Sequence, residues 1–114
     1  MYQVYSTKRY DKEVGKYFSA VEMKLLDNIH RKIAEQPMDG DALGYTFFRE
    51  RRLGGKRIYF VIYSELNAVL MVAVSDKKTQ QETIDEIKSR LKDYNVVVQE
   101  AIKNATRSDG SFQP

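Results

Sequence analysis

The sequence contains no cysteine, so no disulfide can staple it and no thiolate can act as nucleophile or metal ligand. It has a single histidine, His30, set in the helical pattern "LLDNIHRKIAEQ", where it reads as a helix residue. Zinc sites draw on several thiolate or imidazole ligands, and with that supply missing no metal is expected. Phosphate-cradling glycine loops and the strand-to-helix serine elbow are absent too, which speaks against nucleotidases and triad hydrolases. The longest apolar run, Ala68 to Val74, is far short of the roughly 20 residues that cross a bilayer. The opening "MYQVYSTKRY" has no apolar stretch of the signal-peptide kind, and a cytoplasmic location is expected.

What is present suits a small soluble domain. Of the 114 residues, 42% are apolar and 31% charged, enough for one hydrophobic core. That domain is expected over residues 1–105, with 106–114, "TRSDGSFQP", as a poorly ordered tail. Charge is concentrated. Arg49, Arg51, Arg52, Lys56 and Arg57 against Glu50 carry +4 of a total +3, so the rest of the chain is slightly negative. A cationic patch on a near-neutral body is a footprint for a polyanion or an acidic protein. It is equally the composition of an edge hairpin kept soluble by its cations.

The apolar pattern divides the chain into elements. Tyr2 to Ser6 reads as a short strand, and "TKRYDKEVGKYF" as a short helix. "SAVE", from Ser19, is a capping box opening a helix whose stripe is Val21, Leu25, Ile29 and Ile33. Pro37 ends it. "MDGDALG" reads as a loop in which Asp39 and Asp41 are turn residues. Three strands follow, Tyr45–Arg51, Arg57–Ser64 and Ala68–Val74, the first two joined at Gly54-Gly55. Ile58, Phe60 and Ile62 alternate with Tyr59, Val61 and Tyr63, so both faces of the middle strand are apolar and both are covered. "TQQE", from Thr79, is a second capping-box pattern, followed by Ile84, Ile87, Leu91 and Tyr94 at helical steps. "NVVVQEAIKN" is read as a further helix. The order β-α-α-β-β-β-α predicts an α+β fold: a small antiparallel sheet, two N-terminal helices on one face, and a C-terminal helix. The other face, with the hairpin charge, is expected to carry the work.

That order, with "LGGKRIYFVIY" and then "VLMVAVSDKKTQQETIDEIKSRLKDY", resembles the RelE/ParE superfamily of toxins from toxin–antitoxin pairs. The "KKTQ" that opens the last helix, and the "RLKDY" that ends it, look most like the phage-derived HigB-like branch. The resemblance spans Tyr2 to about Tyr94. It implies a ribosome-dependent endoribonuclease, an mRNA interferase, that inhibits translation. In such enzymes the ribose 2′-hydroxyl attacks the adjacent phosphate without a metal or cofactor.

Carried over by position, Arg57 matches the arginine after the glycine turn and is the first choice for phosphate stabilisation, because a guanidinium fork stays charged and binds two oxygens. Lys78 and Arg51 are expected beside it in catalysis. Arg49, Arg52, Lys56, Lys77 and Tyr59 are expected to hold RNA, the tyrosine by stacking on a base. Arg49 and Arg51, two apart, are expected to project together from the sheet, with Arg52 in the turn. The position where relatives carry a proton-transferring tyrosine is Ile84 here. Tyr45, Tyr59, Tyr63 and Tyr94 are considered as substitutes, though a tyrosine on such elements is more often core or sheet surface. Glu50 is considered as a general base, with the ion-pair partner of an arginine as the favoured reading. The implied partners are the ribosome, messenger RNA and an antitoxin with an acidic segment. Two alternatives stay open: a ParE-like inhibitor of DNA gyrase, and a non-catalytic relative that binds RNA or antitoxin.

Overall fold

A computed structural model describes residues 1–111 in backbone and 1–105 in side-chain surroundings. Its element order is β1 (Gln3–Ser6), α1 (Lys8–Tyr17), α2 (Ala20–Glu35), β2 (Asp41–Ala42), β3 (Phe48–Leu53), β4 (Lys56–Tyr63), β5 (Ala68–Ser75), α3 (Gln80–Ser89) and α4 (Leu91–Ser111). The five strands form one sheet in the order β1-β5-β4-β3-β2. No helix among the described residues is long and apolar enough to cross a membrane.

The meander β3-β4-β5 is antiparallel, as its short connections require. The edge strand β1 is the exception and runs parallel to β5, from Gln3 beside Ala68 to Ser6 beside Met71. A parallel neighbour needs a long crossover, which the intervening helices and hairpin supply. The hairpin turn closes on the Leu53–Lys56 pair, and Gly54 takes φ +61°, a left-handed conformation that glycine adopts without a Cβ clash.

Alternation along β4 sorts the core into two layers. Ile58, Phe60 and Ile62 pack with Tyr10, Leu26 and Ile33 of α1 and α2. Tyr59, Val61 and Tyr63 pack with Ile84, Ile87, Tyr94 and Val98 of α3 and α4. Both sheet faces are therefore covered, so the open sheet face expected to carry the work is not found among the described residues. A register slip between Tyr59 and Phe60 places both Val72 and Ala73 in the α3/α4 layer.

Several boundaries differ from the pattern reading. Asp41–Ala42 is a short strand, not a loop, pairing with Arg49 and Glu50. Gly40 makes that approach possible, since a Cβ there would lie 2.8 Å from the Glu50 carbonyl and 3.0 Å from the Phe60 ring. Strand β3 starts at Phe48 rather than Tyr45, because the Phe48 amide turns back to the Tyr45 carbonyl at 3.2 Å.

In α2 the capping box of Ser19 and Glu22 is formed, with bonds of 3.2 and 3.0 Å. Its buried stripe is not the four-residue ladder, however: Val21 is 71% and Leu25 48% exposed, while Leu26 and Ile33 are buried. Steps of four advance about 40° beyond a full turn each time, so such a line slides off the inward face. The second capping box does not form. Thr79 makes no cap bond to its helix, and the Asp76 carboxylate accepts from the Thr79 amide and hydroxyl instead, at 2.9 and 3.0 Å. Those bonds hold the Asp76 carboxyl below its ordinary range.

The C-terminal helical pattern is split at Arg90 into α3 and α4. The backbone of the expected tail from Thr106 continues α4 as far as Ser111, and residues 112–114 lie outside the described residues.

Candidate functional site

The register of three strands builds the site. Arg52, Arg57 and Ser75 stand in one cross-strand row, and Glu50, Tyr59 and Ala73 in the next row on the same face. Residues paired across strands share a face, and the face of Tyr59 is the α3/α4 face. Arg52 and Arg57 are thus like charges placed directly opposite each other, an arrangement that costs stability and that a strand pair built only for folding would avoid.

Around Arg57 the groups are buried and incompletely satisfied. Glu50 is 3% and Arg57 8% exposed, yet no ion pair within 4 Å joins them among the described residues. The ion-pair role considered for Glu50 is therefore not observed. Gln80, at the start of α3, donates to Glu50 Oε1 at 3.3 Å. Glu50 Oε2 and Arg57 Nε have no hydrogen-bond partner among the described residues. A buried acceptor and a buried cationic donor of this kind each favour a ligand that completes them.

Tyr59 and Ser75 complete the cluster, their hydroxyl oxygens 2.7 Å apart. Ser75 donates to the Asp76 carbonyl at 3.0 Å and so accepts from Tyr59. Burial pushes the Tyr59 phenol above the ordinary tyrosine range; the bond to Ser75 opposes the shift, Glu50 adds to it, and Arg57 opposes it. The group is a proton donor at neutral pH. Chemically, the cluster offers a carboxylate to accept a proton, a guanidinium for anionic oxygens and a phenol–hydroxyl pair to return a proton.

The expected site residues divide between two sides of the sheet. Arg52 lies in β3 beside Arg57, not in the turn. Lys77 and Lys78 are exposed in the loop that leaves Ser75. Arg49, Arg51 and Lys56 occupy the opposite face, as the two-residue period dictates once Phe48 and Glu50 face α3 and α4. Arg49 and Arg51 do project together, but away from Arg57.

Arg49 is a loop clamp, its Nε bonded to the Thr46 carbonyl at 2.8 Å and its Nη1 to those of Met38 and Gly40 at 3.0 and 2.7 Å. Lys56 sits 5.3 Å over the Tyr17 ring. Arg51 is half-buried, lining a cleft with Asp39 and Asp41, and its Nη1 has no partner among the described residues. Tyr59 is fully buried and presents no ring for a base to stack on. Ile84 is a core residue and transfers no proton.

Ser75 and Gln80 were not singled out by the sequence. Their signal was available only through register, since pairing the serine that ends β5 with Arg57 brings both to one point. Among the described residues no group of three or more His, Asp or Glu side chains is placed to hold a metal ion.

No family model and no curated protein matches the sequence. Among solved structures the architecture has clear counterparts, and the fold is that of the RelE toxins. The isolated E. coli RelE toxin superposes with a TM-score of 0.58 at 17% identity, over 76% of this chain and 99% of that one. The toxin–antitoxin complex RelBE2 from Mycobacterium tuberculosis gives 0.58 at 18% identity, over 67% and 98%. The RelB–RelE antitoxin–toxin complex from Methanococcus jannaschii gives 0.55 at 15%, over 69% and 96%.

Proposed function

We propose that this chain is the toxin of a toxin–antitoxin pair and that it inhibits translation by cutting messenger RNA on the ribosome. The observation that carries the reading is the pair of buried, unpartnered atoms, Glu50 Oε2 and Arg57 Nε, beside the Tyr59–Ser75 hydroxyl pair. The RelE fold supports it, and the RelE complexes with their antitoxins support an antitoxin partner here. An acidic segment that covers Arg52, Arg57, Lys77 and Lys78 would suit the charge of this end of the sheet. A cytoplasmic setting follows from that target.

In this reading the 2′-hydroxyl attacks the neighbouring phosphorus while Glu50 takes its proton. Arg57 and Arg52 hold the non-bridging oxygens as negative charge builds, with Lys77 and Lys78 closing over them from the loop. The bond from phosphorus to the 5′ oxygen breaks. That oxygen takes a proton from Ser75, which Tyr59 replaces through the 2.7 Å bond between them. The products are a 2′,3′-cyclic phosphate and a 5′-hydroxyl, and no metal or cofactor enters the balance. This relay stands in for the tyrosine missing at Ile84.

The test is mapping of RNA ends in a reconstituted translation reaction with the wild type, Arg57→Ala and Arg57→Lys. Cuts confined to ribosome-engaged message are expected, with a loss of about 10²–10³-fold in Arg57→Ala. Arg57→Lys keeps a charge but not the fork, and is expected to recover only part of the rate. Normal translation with no new ends would overturn the reading, and inhibition of DNA supercoiling would then assign the chain to gyrase.

A further inference from the structure

The face that carries Arg57 continues along β4 to a second feature. Val61 and Tyr63 lead into a groove of about 400 Å³, walled by Phe47 and closed by Leu91, Lys92 and Asn95 of α4. Arg57 and Tyr63 are on one side of the same strand and six residues apart, which separates them by roughly 20 Å. Phe47 is 37% exposed, and its ring stacks on Tyr45 with centroids 4.8 Å apart. The Lys88 ammonium stands 5.9 Å from the Tyr45 centroid. Tyr63 is 7% exposed, and its hydroxyl is buried with no hydrogen-bond partner among the described residues.

We propose that this groove is a nucleobase subsite for the RNA whose phosphate meets Arg57, an inference that rests on the ribonuclease reading above. Aromatic rings interleaved with lysines are how proteins hold single-stranded nucleic acid, the rings stacking on bases and the cations following the backbone. The groove adds groups that read a base edge: the Glu65 carboxylate accepts from an exocyclic amine, and the Asn95 amide donates or accepts. Lys88 and Lys92 against the single carboxylate of Glu65 leave an excess positive charge around the groove, which an aliphatic protein side chain would not match and the phosphate attached to a base would. At the 3.4 Å spacing of stacked bases the span to Arg57 is about six nucleotides, and fewer if the strand is extended.

The test uses 2′-O-methyl cytidine oligonucleotides, whose blocked nucleophile separates binding from cleavage. A dinucleotide is too short to span the two points and an octanucleotide is long enough. Fluorescence anisotropy is expected to show tighter binding of the octanucleotide by the wild type. Phe47→Ala should weaken that binding by about tenfold and leave the dinucleotide unchanged. Asn95→Ala removes an exposed base-edge group without touching the core, and should lower octanucleotide affinity alone. Equal binding of both lengths by wild type and variants would overturn the subsite and leave the groove to a protein partner. Arg57→Ala should weaken both lengths. If it weakens neither while the Phe47 effect persists, the ribonuclease reading falls and the base subsite stands.

Discussion

The Tyr59 hydroxyl and Ser75 Oγ lie 2.7 Å apart across two strands, Ser75 in the row of the Arg52–Arg57 pair and Tyr59 in the next row on that face. The contact joins a phenol that burial keeps protonated to a serine at the edge of the cationic loop. Tyr59→Phe deletes it while keeping the ring, so unfolding free energy should fall by only about 1 kcal/mol. RNA cleavage should fall much further, about 10²-fold, as for a lost proton-transfer group. Ser75→Ala should give a similar loss, and the double variant little more than either, because the two act as a unit. Rates that track thermal stability alone would eliminate the relay.

Arg49 and Arg57 are both arginines of one hairpin with different surroundings. Arg49→Ala removes three bonds to the carbonyls of Thr46, Met38 and Gly40 and should destabilise the fold by roughly 2 kcal/mol. The salt dependence of RNA binding should not change. With Arg52, Arg57, Lys77 and Lys78 on phosphate, the slope of log affinity against log salt should be near −3, and Arg57→Ala should make it shallower by about 0.7. Binding isotherms over a range of salt, with denaturant unfolding in parallel, separate the two roles.

The Tyr10 hydroxyl is 2.7 Å from His30 Nε2 under α2. Burial lowers the His30 pKa, with Asp27 and Asp11 opposing the shift. The unfolded chain therefore binds a proton more readily than the folded one. Stability from this site is full above the unfolded value of about 6.5 and is lost as pH falls through the lower folded value. Urea midpoints measured from pH 7.5 down to 5 should fall, and His30→Gln should flatten that part of the profile.

Two capping-box patterns in one chain are expected to behave differently. Ser19→Ala should cost about 1 kcal/mol, since both reciprocal bonds are formed. At the second pattern Asp76→Ala should be the damaging change, because the carboxylate, not the Thr79 hydroxyl, serves the loop. Thermal unfolding of the three variants, Thr79→Ala included, gives the order directly. A larger effect at Thr79 than at Asp76 would contradict the loop geometry.

Much of this fold is local and was legible in the chain. The alternation of Arg57 to Tyr63 predicts a strand buried on both sides, and the core is divided accordingly. Gly54 marks the hairpin, Ser19 and Pro37 bracket α2, and the order of elements leads to the RelE fold. These signals live in periods of two and 3.6 residues and in residues with special backbone freedom, so short windows suffice.

What the tertiary structure alone decided is which charges meet. Arg49, Arg51 and Lys56 are as basic as Arg52 and Arg57, but one-residue offsets turn them to the other face. Composition counted five cations on the hairpin; register leaves two of them, Arg52 and Arg57, facing Glu50, Tyr59 and Ser75. Ser75 and Gln80, distant from Glu50 in sequence, join the cluster because β5 pairs with β4 and α3 folds back over the sheet. Contacts of that kind depend on strand pairing between distant segments, which no local pattern encodes.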